Sequence, residues 1–167
     1  VQRTPERFGR AMAHLLRGYT LDPKDMLVEF DNVQSSSMIV VQDVDILSFC
    51  EHHLLPFIGK AAIGYIPNKD TKRVLGISKL ARILDCFACR FQVQERIGEQ
   101  FCDFMMEHLK PDGVIVVIDA QHFCMTERGV QKKNAVTTTA AIRGIFTDPS
   151  TRQEFYELIK PSRLQRS

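Results

Sequence analysis

Residues 78–118 read SKLARILDCFACRFQVQERIGEQFCDFMMEHLKPDGVIVVI, and their periodicity decides the fold class. From Ser78 the apolar residues Leu80, Ile83, Leu84, Phe87 and Phe91 recur at helical spacing. A second helical stripe follows in Val93, Ile97, Phe101, Phe104, Met105 and Leu109, and Pro111-Asp112-Gly113 ends it. Val114 to Ile118 is unbroken aliphatic sequence, the pattern of a strand buried on both faces. Working outward, Val136 to Phe146 is a Thr-rich strand candidate, and Asp148-Pro149 caps a last helix ending near Ile159. On the other side, strands are expected from Met26. Met38 to Phe49 is rich in Val and Ile, Lys60 to Ile66 follows Pro56 and Gly59, and Pro67-Asn68-Lys69-Asp70 makes a turn. The chain opens on a helix expected over 4–18, with Thr4 as cap, Pro5 and Glu6 in the first turn and Gly18 at its end. Strands, paired helices and strands again predict an α+β fold with a mostly antiparallel sheet.

With 167 residues, 44% of them apolar and 25% charged, the chain is expected to form one domain over residues 1–167, its core at about 26–160. Twenty-two Lys+Arg against 20 Asp+Glu leave a formal charge of +2, which advertises no basic stripe for nucleic acid. No aliphatic run approaches the length needed to span a bilayer. Val1 to Glu6 has no apolar signal-peptide core, and five scattered cysteines do not make a secreted disulfide framework. A cytoplasmic protein is expected, with neither nucleic acid nor membrane as partner.

Two clusters suit metal chemistry: Cys50-Glu51-His52-His53 at a strand end before Pro56, and His122-Phe123-Cys124 after the strand 114–118. Cys and His are the preferred ligands of zinc. Cys50 and His53 face one centre only across a turn or a helical step, because in an extended strand residues three apart point to opposite faces, and Leu54-Leu55-Pro56 favours such a break. Cys50, His53 and Cys124 make three ligands with a fourth position left for water, the pattern of a catalytic zinc site. The competing reading is that these are ordinary buried thiols and imidazoles. Cys86 and Cys89 sit inside an amphipathic helix and are expected to have no ligand role. Gly76-Ile77-Ser78-Lys79 and Arg82 place a hydroxyl and cations at a helix start, a weak phosphate signal on its own. Arg7 and Arg10 are as readily a solvated helix face.

Taken together, Cys50-Glu51-His52-His53, Gly76-Ile77-Ser78-Lys79-Leu80-Ala81-Arg82, Gln92-Val93-Gln94-Glu95-Arg96, His122-Phe123-Cys124, Arg128-Gly129-Val130 and Thr137-Thr138-Thr139 closely resemble GTP cyclohydrolase I in order and spacing. The resemblance runs from Thr4 to about Phe146. It implies a tunnelling fold, a four-stranded antiparallel sheet with a helix pair on one side, whose sheets join five to a barrel and ten to a homodecamer. It implies hydrolytic opening of the guanine imidazole ring of GTP, loss of C8 as formate and rearrangement to 7,8-dihydroneopterin triphosphate, for pterin (folate or tetrahydrobiopterin) or 7-deazaguanine synthesis.

It also implies roles: zinc on Cys50, His53 and Cys124; His122 as proton donor to the purine nitrogen; and His52 ordering ribose or water. Glu95, with Gln94 beside it, would read the guanine N1–H and 2-amino group. Ser78, Lys79, Arg82 and Arg128 would bind triphosphate, joined by Arg7 and Arg10. Gln121, Glu127 and a long turn at 69–73 depart from the family pattern, and the family's N-terminal helices are not in this sequence. A regulatory partner is not readable. Two other readings are a nitrile reductase of queuosine synthesis, which needs a catalytic Cys without the Cys-His-Cys trio, and a zinc-stabilised nucleotide-binding module without turnover, which needs a fourth protein ligand.

Overall fold

A computed structural model describes residues 1–30 and 37–159. Its elements are α1 (Thr4–Leu15), β1 (Glu29–Phe30), β2 (Ile39–Cys50), β3 (Pro56–Ile66), β4 (Val74–Leu75), α2 (Ile77–Ala88), β5 (Phe91–Gln92), α3 (Gln94–His108), β6 (Gly113–His122), the single turn α4 (Phe123–Thr126), β7 (Thr137–Gly144) and α5 (Pro149–Leu158). Four long strands form an antiparallel meander in the order β2-β3-β6-β7, and β5 adds two residues in parallel to the end of β2. β1 and β4 make a separate short pair.

The helix pair α2 and α3 covers one face of this sheet. Leu80, Ile83, Leu84, Ile97, Phe101 and Met105 are all fully buried there against Ile63, Tyr65, Val114, Val116 and Ile118. The opposite face buries Ile115 and Val117 under Phe146 and Phe155, the latter from α5. β6 is therefore covered on both sides, which is why its sequence does not alternate. Tyr65 is buried within the main core, and its hydroxyl oxygen accepts a hydrogen bond from the Leu75 N–H at 3.0 Å.

Several boundaries differ from expectation for identifiable reasons. β3 begins at Pro56, ahead of Lys60, since a proline is tolerated as the first residue of a strand. α1 ends at Leu15 and passes into a 3-10 turn over Arg17–Tyr19; the residue before its first turn is Arg3, and Thr4 is already helical. Gly18 is locked there because a Cβ would meet the carbonyl oxygens of Cys86 and Cys89 at 2.6 and 2.7 Å. α2 starts at Ile77 and stops at Ala88, so Phe91 leaves the helical stripe to pair with Phe49 in β5. Val93 precedes α3 in extended conformation. Strand β7 closes at Gly144, whose positive φ of 64° suits glycine and whose neighbourhood admits no Cβ. The expected core range includes residues 31–36 and 160, which lie outside the described residues.

Candidate functional site

The site gathers where three chain segments meet at one end of the sheet. β2 ends on Cys50, and the chain turns sharply: the N–H groups of His53 and Leu54 both donate to the Cys50 carbonyl, at 3.3 and 2.8 Å, while the Cys50 N–H donates to the Leu55 carbonyl at 2.9 Å. Leu54 takes a left-handed φ of 55° to complete this turn. The reversal brings Nδ1 of His53 to 3.4 Å from the Cys50 sulfur, with Nδ1 of His52 at 3.8 Å. The break before Pro56 thus does what an extended strand could not.

β6 supplies the second segment. His122 is its last residue and lies directly opposite Phe57 in the β3–β6 register, so the two rings stack at 4.5 Å between centroids and 11° between planes. The turn α4 follows at once and carries Cys124 back toward Cys50. The ligand atoms of Cys50, His53 and Cys124 all lie within 4.8 Å of one another, a group that could hold a metal ion.

The third segment is β5 and the start of α3. Pairing of Phe91 and Gln92 with Phe49 and Cys50, and the Glu51 N–H on the Gln92 carbonyl at 3.0 Å, dock the first turn of α3 beside the cysteine turn. Arg96 then clamps Glu51 with both guanidinium nitrogens, at 2.6 and 3.0 Å. The hydrogen bond from Arg96 holds the Glu51 carboxyl below the usual carboxylate range. Gln94 is 1% exposed; its amide nitrogen donates to the carbonyls of Ile118 and Thr137, both at 2.9 Å, and its oxygen faces Nε2 of His122 at 2.7 Å.

These segments enclose a cleft of about 260 Å³ lined by Cys50, His52, His53, Glu95, His122 and Cys124, among others. Burial lowers the His122 pKa, opposed by the Glu95 charge. Burial first, and then the nearby Cys50 thiol, push the Cys124 thiol up. A cation held by Cys50 and Cys124 would reverse that tendency, because the thiolate is the form that ligates. Cys86, Cys89 and Cys102 are buried in the helical layer, away from this cleft. Burial pushes Cys89 up to about 11 and Cys102 up to about 12.

The expected phosphate ligands are not gathered here within one chain. Ser78, Lys79 and Arg82 lie in the first turns of α2, and Arg7 and Arg10 lie on the exposed α1, with Arg10 paired to Glu6 at 3.1 Å. Arg128 follows α4 and is exposed, and none of the six lines the cleft. Glu127 is exposed and faces a second, open cleft lined also by Lys132 and Lys133, so it does not point at the cysteine trio. Gln121 turns its amide toward the Lys133 carbonyl at 3.4 Å. Phe57, on which His122 stacks, and Met125, which lines the cleft, carry no signal in the sequence alone. Phe57 becomes visible only once the β3–β6 register is known, since that register alone sets it against His122.

Among the described residues no helix is long and apolar enough to cross a membrane. The chain matches the family model for GTP cyclohydrolase I over residues 1–160. It is 50% identical over 161 residues to GTP cyclohydrolase 1 of Chlorobium phaeovibrioides, covering 95% of this chain and 71% of that one. It is 46% identical over 164 residues to GTP cyclohydrolase 1 of Bacteroides thetaiotaomicron, covering 97% and 82%. In architecture it is similar to an apo archaeosine synthase QueF-Like, with a TM-score of 0.52, 16% identity, and coverage of 66% of this chain and 97% of that one. That likeness concerns the fold, which is the α+β tunnelling fold. The match over residues 1–160, carried by relatives of such identity across most of the chain, makes this an enzyme that belongs to the GTP cyclohydrolase I family.

Proposed function

We propose that this chain hydrolyses GTP at C8 of the guanine ring, releasing formate and yielding 7,8-dihydroneopterin triphosphate, with zinc held by Cys50, His53 and Cys124. The observation that carries the reading is the convergence of these three donors with His122 and Glu95 on one cleft. The donors suit zinc: tetrahedral bonds of about 2.3 Å to sulfur and about 2.0 Å to nitrogen set neighbouring ligands about 3.5–3.8 Å apart. Cys50 and His53 stand at 3.4 Å, and all three lie within 4.8 Å, so a small contraction closes the site. Three protein ligands leave one position open, as catalytic zinc sites require. Cys50, His53 and Cys124 would hold the zinc, which would supply Lewis acidity that makes a water available as a nucleophile near neutral pH.

The chain's own residues do the rest. His122 holds and delivers a proton to the purine nitrogen as the ring opens, a role suited to imidazole. Glu95, exposed in the first turn of α3 at the cleft edge, accepts two hydrogen bonds from guanine N1–H and the 2-amino group. His52, 65% exposed beside the cleft, orders ribose or water. Ser78, Lys79, Arg82, Arg128, Arg7 and Arg10 bind the triphosphate.

Because those six residues lie outside the cleft of their own chain, the substrate site is completed by a neighbouring subunit. β7 leaves a sheet edge open, and edge-to-edge closure of five chains, stacked twice into a homodecamer, removes it. In this reading residues 1–167 act as one catalytic domain in the cytoplasm, its core at about 26–160, and the product feeds pterin or 7-deazaguanine synthesis.

Base selectivity tests the reading. ATP lacks the N1–H and the 2-amino group and leaves Glu95 unpaired, so kcat/KM for GTP should exceed that for ATP by about 10⁴-fold. Glu95→Ala should raise KM for GTP while metal content stays at one per chain. Comparable turnover of ATP and GTP would overturn the assignment.

A further inference from the structure

We propose that Arg96 and Glu51 are positioning residues for the metal turn: the Arg96 guanidinium, carried in by α3, holds the turn bearing Cys50 and His53 in its ligating shape before any metal arrives. Glu51 lies between those two donors in the chain, so a grip on its carboxylate restrains the turn. That grip has two prongs. Two nitrogens of Arg96 meet the two carboxylate oxygens at 2.6 and 3.0 Å, a parallel pairing that gives direction as well as attraction. The backbone adds a third tie, with the Glu51 N–H donating to the Gln92 carbonyl at 3.0 Å.

The arginine is itself held from behind. Its Nη1 also reaches the side-chain oxygen of Gln92 at 3.4 Å. Gln92 is 3% exposed, and its amide nitrogen donates to the Phe87 carbonyl at 3.1 Å and to the Gln100 side chain at 2.8 Å. The clamp therefore runs from the end of α2 and the body of α3, through Gln92 and Arg96, to the cysteine turn. That turn needs outside support. Leu54 holds a left-handed φ of 55°, unfavourable for a side chain with a Cβ, and the N–H groups of His53 and Leu54 share the single Cys50 carbonyl. Stability alone does not account for the arrangement. With side chains 46% and 31% exposed, an ion pair of this kind adds little to folding. Its worth lies in orientation, because the outer partners of a metal's ligands set the geometry those ligands present. Lysine would supply the charge without the fork.

This inference takes its metal from the zinc reading above, and its test keeps the two apart. Zinc affinity of the full chain is measured by competition with a chromophoric chelator, and amide hydrogen exchange is followed on the same chain without metal. Arg96→Gln should weaken zinc binding about 10–100-fold, and Arg96→Lys, which keeps the charge, nearly as much. The sign is diagnostic, since removing a nearby positive charge should by itself tighten the hold on a cation. In the metal-free chain the His53 and Leu54 amides should exchange at least about 10-fold faster in both variants, while those in the middle of β2 keep the wild-type rate. Zinc binding as tight as wild type or tighter in either variant would overturn the inference, as would unchanged exchange at His53 and Leu54. A wild-type chain that takes up no zinc would overturn the metal reading instead, and the exchange rates would still decide whether the clamp shapes the turn.

Discussion

Phe57 offers the sharpest link between packing and the site. Its side chain is fully buried and forms the wall on which His122 stacks at 4.5 Å. Truncation to Ala opens a cavity where β3 meets β6, and such Phe→Ala changes cost about 3–5 kcal/mol. The ring pair itself contributes about 0.5–1.5 kcal/mol beyond area burial. Phe57→Leu keeps most of the volume, for which repacking costs under about 1.5 kcal/mol, but loses the ring pair. The expected order is therefore wild type, then Leu lower by about 1–3 kcal/mol, then Ala lower by about 3–5 kcal/mol. Urea unfolding at one fixed protomer concentration, with zinc in constant excess, measures these differences without confounding by assembly or metal. Phe57→Leu should also lose turnover while retaining its metal, because His122 gains freedom and Cys124 does not. An Ala variant within about 1 kcal/mol of wild type would refute the packing argument. Unimpaired turnover by Phe57→Leu would refute its extension to catalysis.

Other consequences follow from particular contacts. Gly59→Ala places a Cβ 1.9 Å from the Asp119 carbonyl oxygen, a clash that no side chain can relieve, so the β3–β6 pair must separate. The variant should fail to fold or melt far below wild type in a thermal scan. Asp148 caps α5: the Ser150 hydroxyl and the Ser150 and Thr151 N–H groups hold its carboxyl below the ordinary 3.8. A depressed folded pKa contributes stability above the unfolded value and loses it as pH falls through the folded one. Hydrogen exchange of α5 amides should therefore be faster in Asp148→Ala than in wild type at neutral pH, with the difference vanishing well below pH 3.8. Among the thiols, Cys89 and Cys102, pushed up to about 11 and about 12, should stay silent to a thiol reagent at pH 8 in the native protein. Removal of metal should expose Cys50 and Cys124 to it, as mass mapping of the labelled sites would reveal.

Much of this was legible in the sequence because the relevant signals are local. The stripes of α2 and α3 and the aliphatic run of β6 follow from periodicity and burial on both faces. The Cys-x-x-His turn announces itself because Cys50 and His53 can converge only across a chain reversal, and Leu54 with Pro56 provides one. What escaped depends on pairing between distant segments. Phe91 fits a helical stripe by spacing, yet it leaves the helix because β2 offers Phe49 and Cys50 as a parallel edge. The place of Phe57 against His122 is a fact of register, which hydrophobic pattern alone does not fix to one residue pair. Gln94 looked like a polar residue facing substrate. Its actual partners are two carbonyls and an imidazole contributed from 24 to 43 positions away.

Hydrolytic opening of guanine by these residues, with the aid of a metal on Cys50, His53 and Cys124, remains the proposal on which the rest depends. The most direct test is formate release from GTP labelled at C8, followed with the zinc-loaded full chain and again after verified metal removal. One labelled formate should appear for each GTP consumed, with a pterin absorbance rising in step, loss of both on chelation and their return with zinc. Consumption of GTP without formate, or undiminished formate release by the metal-free chain, would contradict it.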